Sequence, residues 1–273
     1  MNNNMFFYRF FRFLLGNIYK FYYNPTIIGK ENILKDGHFI IVGNHVHIMD
    51  QCNVIVSTKR CIHFLAKKEY FDNKKVAWFF KFSGCISVDR SKKDSNVTSQ
   101  AIDVLINNHV LGLFPEGTRN TLKDKKIREL YEKYEIVDNY KSFRKKMKSI
   151  KLSYVNYLED LIDREIISKD EFISNIYNIN DYVYKLYLDH VISKDDYLEN
   201  SFLPFKYGAV SLALKTDSLI VPYLIIGDYK FRSKNLVIKI LKPIKVSDDL
   251  SLSNKRLRDA LKNALYEYKK SGK

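Results

Sequence analysis

Four short apolar runs, separated by stretches with helical spacing, limit what this chain can fold into. Residues 38–43 (HFIIVG), 61–66 (CIHFLA), 85–88 (CISV) and 111–114 (LGLF) read as buried strands. Helical patterns fall between them, near 50–57, 74–83 and 95–108. Strand and helix in alternation predict an α/β fold, with a mostly parallel or mixed sheet flanked by helices. The alternation resumes after residue 203, with a helix near 206–215, strands at 219–226 and 235–241, and a final basic helix near 253–270. With 273 residues, 46% of them hydrophobic, the chain has ample material for such a core, and its length permits one or two domains.

Residues 121–202 do not fit that pattern. They contain no strand-like run, no Gly and no Pro. The charge changes character there as well: residues 1–120 carry a net +7, residues 121–202 a net −1 and residues 203–273 a net +9. A near-neutral helical block is therefore inserted into a basic α/β frame. The block also repeats itself, since residues 158–172 match residues 183–197 at a constant offset of 25. Each copy reads as a helix, a turn and a second helix capped by Ser168 or Ser193, with Glu171 or Asp196 three residues on. Two copies are few for a free-standing array, which favours packing on the parent domain. The expected organisation is a terminal helix over 1–24, an α/β domain over 25–122 and 203–273, and an inserted helical repeat region over 123–202. The insert is either a passive spacer or lid, or a docking place for a protein partner.

The N-terminal stretch, MFFYRFFRFLLGNIYKFYY, is strongly apolar but interrupted by Arg9, Arg12 and Lys20. A spanning helix wants about 20 residues with almost no charge. Aromatics mixed with cations suit a helix lying in the membrane interface, and Phe6, Phe10, Phe13 and Leu14 recur at helical spacing. The alternative is a helix buried on the domain. No signal peptide with a cleavage site is recognisable, and with cysteine usage that fits a reducing cytoplasm the expected location is the cytoplasmic face of the cell membrane, held peripherally. Three cysteines, Cys52, Cys61 and Cys85, lie in no Cys-x-x-Cys pair, which suggests neither a zinc site nor a disulfide framework. The net charge of +15 points to an anionic partner, whether bilayer, phosphorylated substrate or nucleic acid.

Asn44-His45-Val46-His47-Ile48-Met49-Asp50 follows a strand and opens a helix. Residues five apart on an ideal helix point about 140° away from each other. His45 and Asp50 can therefore meet only if His45 lies in the loop before the helix. A histidine held by a carboxylate is a ready general base, because the carboxylate fixes the tautomer and stabilises the imidazolium that forms. His47 and Asp50 share a helix face more easily, so this block alone leaves both histidines open. An unremarkable helix start, with Asp50 as a first-turn acid, also remains open.

Phe114-Pro115-Glu116-Gly117-Thr118-Arg119 follows another strand. Pro115 and Gly117 end the strand and expose backbone N–H groups in a turn. Arg119 offers a fork of donors suited to phosphate oxygens. Glu116 is placed to hold a hydroxyl or to orient Arg119, the plain alternative being a surface ion pair on a polar turn.

Taken together, an Asn-His-x-x-x-x-Asp block and a Phe-Pro-Glu-Gly-Thr-Arg block about 65 residues apart resemble the glycerolipid acyltransferases, in particular the bacterial 1-acyl-glycerol-3-phosphate acyltransferases. Gly84-Cys85-Ile86-Ser87-Val88-Asp89-Arg90 is similar to the family's intervening motif, Leu203–Ala209 to the segment that normally follows the Glu-Gly-Thr-Arg block closely, and Val221-Pro222 to its final motif. The resemblance covers roughly residues 25–122 and 203–245 and leaves out the insert. It implies that His45 is the general base and that Asp50 orients it. It implies that Glu116, Gly117, Thr118 and Arg119 bind the glycerol phosphate, with Arg90 and Lys206 adding charge. The reaction implied is acyl transfer from a thioester of CoA or acyl carrier protein to the sn-2 hydroxyl of lysophosphatidic acid, giving phosphatidic acid, with no metal or prosthetic group. The family often has a small residue where this chain has His47, which bears on pocket shape. The Trp78-Phe79-Phe80-Lys81-Phe82 cluster is expected near the bilayer, or alternatively as a core face.

Two other readings differ in substrate or class. The acceptor can be glycerol-3-phosphate or another lyso-lipid. A non-catalytic basic protein that binds membrane or nucleic acid is the other class, but the sequence holds no helix-turn-helix, zinc finger or RNA-binding aromatic signature, so no nucleic-acid partner is expected.

Overall fold

The computed structural model describes residues 3–89 and 95–271. The elements run α1 (Asn3–Tyr23), β1 (Thr26–Ile28), β2 (Phe39–Gly43), α2 (Asp50–Ile55), β3 (Ile62–Lys67), α3 (Lys68–Asp72), α4 (Ala77–Phe82), β4 (Ile86–Val88), α5 (Ser95–Ile106) and β5 (Val110–Leu113). There follow α6 (Asp124–Lys133), α7 (Tyr140–Met147), α8 (Leu152–Asp163), α9 (Lys169–Ser174), α10 (Ile179–Leu188) and α11 (Lys194–Glu199). The chain closes with α12 (Gly208–Lys215), β6 (Leu219–Ile226), β7 (Val237–Ile240) and α13 (Leu250–Lys270).

The chain divides into two compact units: Met1–Gly117 with Phe205–Lys273, and Thr118–Pro204. The first holds a seven-stranded mixed sheet in the order β1-β7-β6-β2-β5-β3-β4. All neighbours run parallel except β6 and β7, which are antiparallel. β2 lies at the centre, between β5 and β6, with Phe39 to Val42 buried. That burial explains why it reads as an unbroken apolar run rather than an alternating one, since a parallel strand covered on both faces has no side left for polar residues. The edge strand β1 is only partly covered.

One face of α1 packs inward. Tyr8 and Tyr19 are buried, and Phe11 meets Trp78 and Phe79 of α4 at ring-centroid distances of 5.8 and 5.2 Å. The opposite face shows Phe6 and Phe13 at 70% exposure, beside exposed Phe10, Leu14, Ile18 and Phe21. The aromatic cluster on α4 is thus part contact face and part surface, with Trp78 half exposed. Among the described residues no helix is long and apolar enough to cross a membrane.

The second unit is helical, and its repeat is a repeat of core positions. Leu158, Leu161, Ile167 and Phe172 are buried, as are Val183, Leu186, Ile192 and Tyr197, each 25 residues further on. Glu165 and His190 both take a left-handed φ of 58° and turn the chain between the paired helices. Ser168 and Ser193 cap α9 and α11, each accepting from the backbone N–H three residues on. The two copies differ at that position. Asp196 closes a reciprocal capping box with Ser193, whereas the Glu171 carboxylate accepts from the Tyr182 hydroxyl at 2.6 Å.

Candidate active site

β2 and β5 are parallel neighbours, with Val42 opposite Leu113, so their C-terminal ends release both motif loops at the same edge of the sheet. Ligands of open α/β sheets gather at such ends. Two residues shape the exit from β2. A Cβ at Gly43 would come within 2.4 Å of the Tyr223 ring, so the strand can lie against β6 there only because the side chain is absent. Asn44 then uses its amide in place of its backbone, donating to the Ile225 carbonyl at 3.0 Å and accepting from the Ile225 N–H at 2.8 Å. The side chain continues the ladder to β6 while the main chain turns away.

His45 therefore lies in a loop, and α2 begins only at Asp50. The geometry that a helix would forbid is available, and Nδ1 of His45 meets Oδ2 of Asp50 at 2.7 Å. The same oxygen accepts from the backbone N–H groups of Val46 at 2.6 Å and His47 at 2.8 Å. Oδ1 accepts from the Tyr229 hydroxyl at 2.5 Å. Asp50 is fully buried. Backbone N–H groups can only donate, so Oδ2 is an acceptor here. Facing that acceptor, Nδ1 of His45 donates, and Nε2 is the ring nitrogen turned away from Asp50. The ring stacks on Phe114 at 4.0 Å with planes 13° apart, and its side chain keeps 18% exposure.

His47 is arranged differently. Its Nδ1 accepts from the Met49 N–H at 3.3 Å, and its ring stacks on Tyr229 at 4.1 Å. Of the two histidines the block leaves open, His45 is the one whose ring nitrogen meets Asp50.

The second motif supplies the other wall. Glu116 is buried, and its Oε1 accepts the backbone N–H of His45 at 2.7 Å, tying the two loops together. Gly117 takes a φ of +68°, and a Cβ there would meet Lys206 Cε at 2.8 Å. The Lys206 side chain runs past this glycine, and its backbone N–H donates to the Pro115 carbonyl at 2.8 Å. Five of the residues singled out from the sequence, His45, Asp50, Glu116, Gly117 and Lys206, thus meet at one edge of the first unit. Thr118 and Arg119 open the second unit, with Arg119 exposed. Arg90 lies outside the described residues.

Tyr229 was not singled out by either motif. It lies 179 residues from Asp50, in the segment after β6, and no local pattern marks it.

The cysteines offer no competing nucleophile. Burial raises the Cys61 and Cys85 thiols to about 12, and burial with the Asp50 charge raises Cys52 to about 11. All three stay protonated near neutral pH, whereas the thiolate is the reactive form. Among the described residues no three His, Cys, Asp or Glu side chains are grouped to hold a metal ion.

A model of the acyltransferase family matches residues 24–226. The chain belongs to the acyltransferase family. Over 96 residues it is 32% identical to the 1-acyl-sn-glycerol-3-phosphate acyltransferase of Bacillus subtilis, a match that covers 35% of this chain and 48% of that one. Over 103 residues it is 33% identical to the enzyme of the same name from Borreliella burgdorferi, covering 37% and 41%. The chain thus matches about half, or less, of the length of these curated relatives. The crystal structure of the 1-acyl-sn-glycerophosphate acyltransferase of Thermotoga maritima superposes with a TM-score of 0.53 at 20% identity, covering 94% of this chain and 80% of that one. At that identity the likeness shows a shared fold.

Proposed function

We propose that this acyltransferase moves a fatty acyl group from a thioester, carried by CoA or acyl carrier protein, to the sn-2 hydroxyl of 1-acyl-glycerol-3-phosphate. The observation that supports it best is the His45–Asp50 pair set beside Glu116 at the ends of two parallel strands. Nε2 takes the hydroxyl proton as the oxygen attacks the thioester carbon. The charge that develops on the ring is balanced by Asp50, which accepts the Nδ1 hydrogen throughout. Collapse of the tetrahedral intermediate expels the thiolate, and the imidazolium returns its proton to that sulfur. The base is regenerated and no acyl-enzyme is formed.

Glu116 is assigned to the glycerol portion of the acceptor. Gly117, whose left-handed backbone makes room for Lys206, and Thr118 and Arg119, which follow it directly in the chain, are assigned to the phosphate together with Arg90 and Lys206. Arginine suits this task because its planar fork matches phosphate oxygens.

An acceptor of this kind resides in a bilayer, since drawing its chain into water costs about 0.8 kcal/mol per CH₂. We assign bilayer contact to the exposed face of α1, with peripheral binding on the cytoplasmic side. Basic residues add about 1 kcal/mol each near an anionic surface. Assay of the purified chain with palmitoyl-CoA and with palmitoyl-acyl carrier protein, against lysophosphatidic acid, glycerol-3-phosphate and lysophosphatidylcholine, tests the reading. Phosphatidic acid is the product expected to dominate. Transfer to glycerol-3-phosphate alone would move the assignment to the first acylation, and no transfer to any acceptor would refute it.

A further inference from the structure

Behind Asp50 runs a set of hydrogen bonds that neither motif contains. The Tyr229 hydroxyl donates to Oδ1 of Asp50 and accepts from Nδ2 of Asn53 on α2, each at 2.5 Å. Oδ1 of Asn53 accepts in turn from the Tyr19 hydroxyl on α1. Every donor in this series points the same way, from α1 toward the carboxylate. Tyr19 and Asn53 are buried with Asp50, so water does not compete for these groups. Tyr229 is also held through its ring, stacked on His47 at 4.1 Å and edge-on to Tyr23 at 5.5 Å.

The position of this series matters because the two carboxylate oxygens do different jobs. Oδ2 gathers three donors from residues 45, 46 and 47, which pins that oxygen but leaves the carboxylate free to swing about it. A donor at Oδ1 fixes the plane. The plane of the carboxylate sets the direction of the Nδ1 hydrogen bond, and so the direction in which Nε2 of His45 points.

We propose that Tyr229 is a positioning residue for the His45–Asp50 pair, and that Asn53 and Tyr19 hold Tyr229 in place, so that α1 takes part in aiming the base. The inference rests on the reading of His45 as general base. Burial and the adjacent Asp50 charge push the Tyr229 hydroxyl far above its ordinary value, so it stays a donor throughout the working pH range. Hydrogen bonds in a buried, unidirectional series also reinforce one another, which extends the effect of Tyr19 to a carboxylate it does not touch.

The test uses the full chain with lysophosphatidic acid and palmitoyl-CoA, comparing wild type, Tyr229→Phe, Tyr19→Phe and His45→Ala across pH 5.5 to 9. Tyr229→Phe keeps both ring contacts and removes only the hydroxyl. Its kcat is expected to fall about 10- to 100-fold, as for other groups that orient a reactive ligand, while KM for both substrates stays within about twofold. The acidic limb of its profile should move to higher pH, because a carboxylate relieved of one donor holds the imidazolium more strongly. Tyr19→Phe should show the same signs with a smaller loss. The downfield ring N–H proton resonance that disappears in His45→Ala should shift in Tyr229→Phe, a readout that needs no substrate. An inactive His45→Ala beside a Tyr229→Phe with unchanged kcat, limb and resonance overturns the positioning role and leaves the base in place. An active His45→Ala overturns the base assignment instead. Should Tyr229→Phe not fold, folded Tyr19→Phe decides, and an unmoved limb and resonance there overturn the proposal.

Discussion

At the scale of single residues the site depends on where Asp50 can be reached from. Four donors converge on it, three from its own loop and one from Tyr229. Asp50→Asn would turn an NH₂ group toward some of those donors and remove the charge that balances the imidazolium. Activity should fall on the order of 10³- to 10⁴-fold, as in other His–Asp pairs, and stability by about 1–3 kcal/mol from the unmet buried donors. Steady-state kinetics and urea midpoints check both, and near wild-type turnover would remove Asp50 from the mechanism. The spacing of the block leaves both His45 and His47 open as partners of Asp50, and only the family resemblance names His45; the contact exists because His45 lies in the loop before the helix. The Glu116 bond to the His45 backbone was not legible in the sequence, since a motif names residue types without giving the direction of a side chain. Tyr229 was invisible for another reason: it reaches Asp50, Asn53 and His47 only when β6 is laid against β2.

The next scale is that of strands and helices. Long or fully buried runs were read closely: 219–226 coincides with β6, and 38–43 with β2 to within a residue. The strand β1 was missed because three residues, Thr26 to Ile28, show no periodicity. The five-residue helix α3 was missed because its Lys-Glu-Tyr-Phe-Asp sequence has no apolar stripe. The helix α1 was legible in type, and the structure adds which face is covered. With Phe10 and Phe13 exposed, replacing both by Ser should leave the melting temperature unchanged. Each Phe is worth about 1.5–3 kcal/mol on burial, so association with anionic vesicles should weaken by at least tenfold in cosedimentation. Equal binding by the double variant would assign bilayer contact to another surface.

For the molecule as a whole, buried histidines and paired carboxylates respond to acid in different windows. In the first unit burial depresses His63, with its Nδ1 donating to the Gly84 carbonyl at 2.8 Å, and burial likewise depresses His109. Histidines lowered in the folded state favour unfolding once pH falls below their ordinary value of about 6.5, so their penalty sets in there and grows through the lowered folded value. In the second unit burial raises Glu159, but hydrogen bonds from Lys126 and Lys133 outweigh it and hold it below its usual value. Its contribution is full above about pH 4.5 and is lost only as pH falls through the folded value. Between pH 7.5 and 5.5 the urea midpoint should therefore drop, and His63→Gln should flatten that drop. An unaltered slope would show that another group titrates. The chemistry itself is decided by turnover of lysophosphatidic acid with an acyl thioester in purified wild type and in folded, vesicle-bound His45→Ala. Formation of phosphatidic acid by the wild type and its loss by three or more orders of magnitude in the variant are expected, whereas comparable rates in the two would contradict general-base catalysis at residue 45.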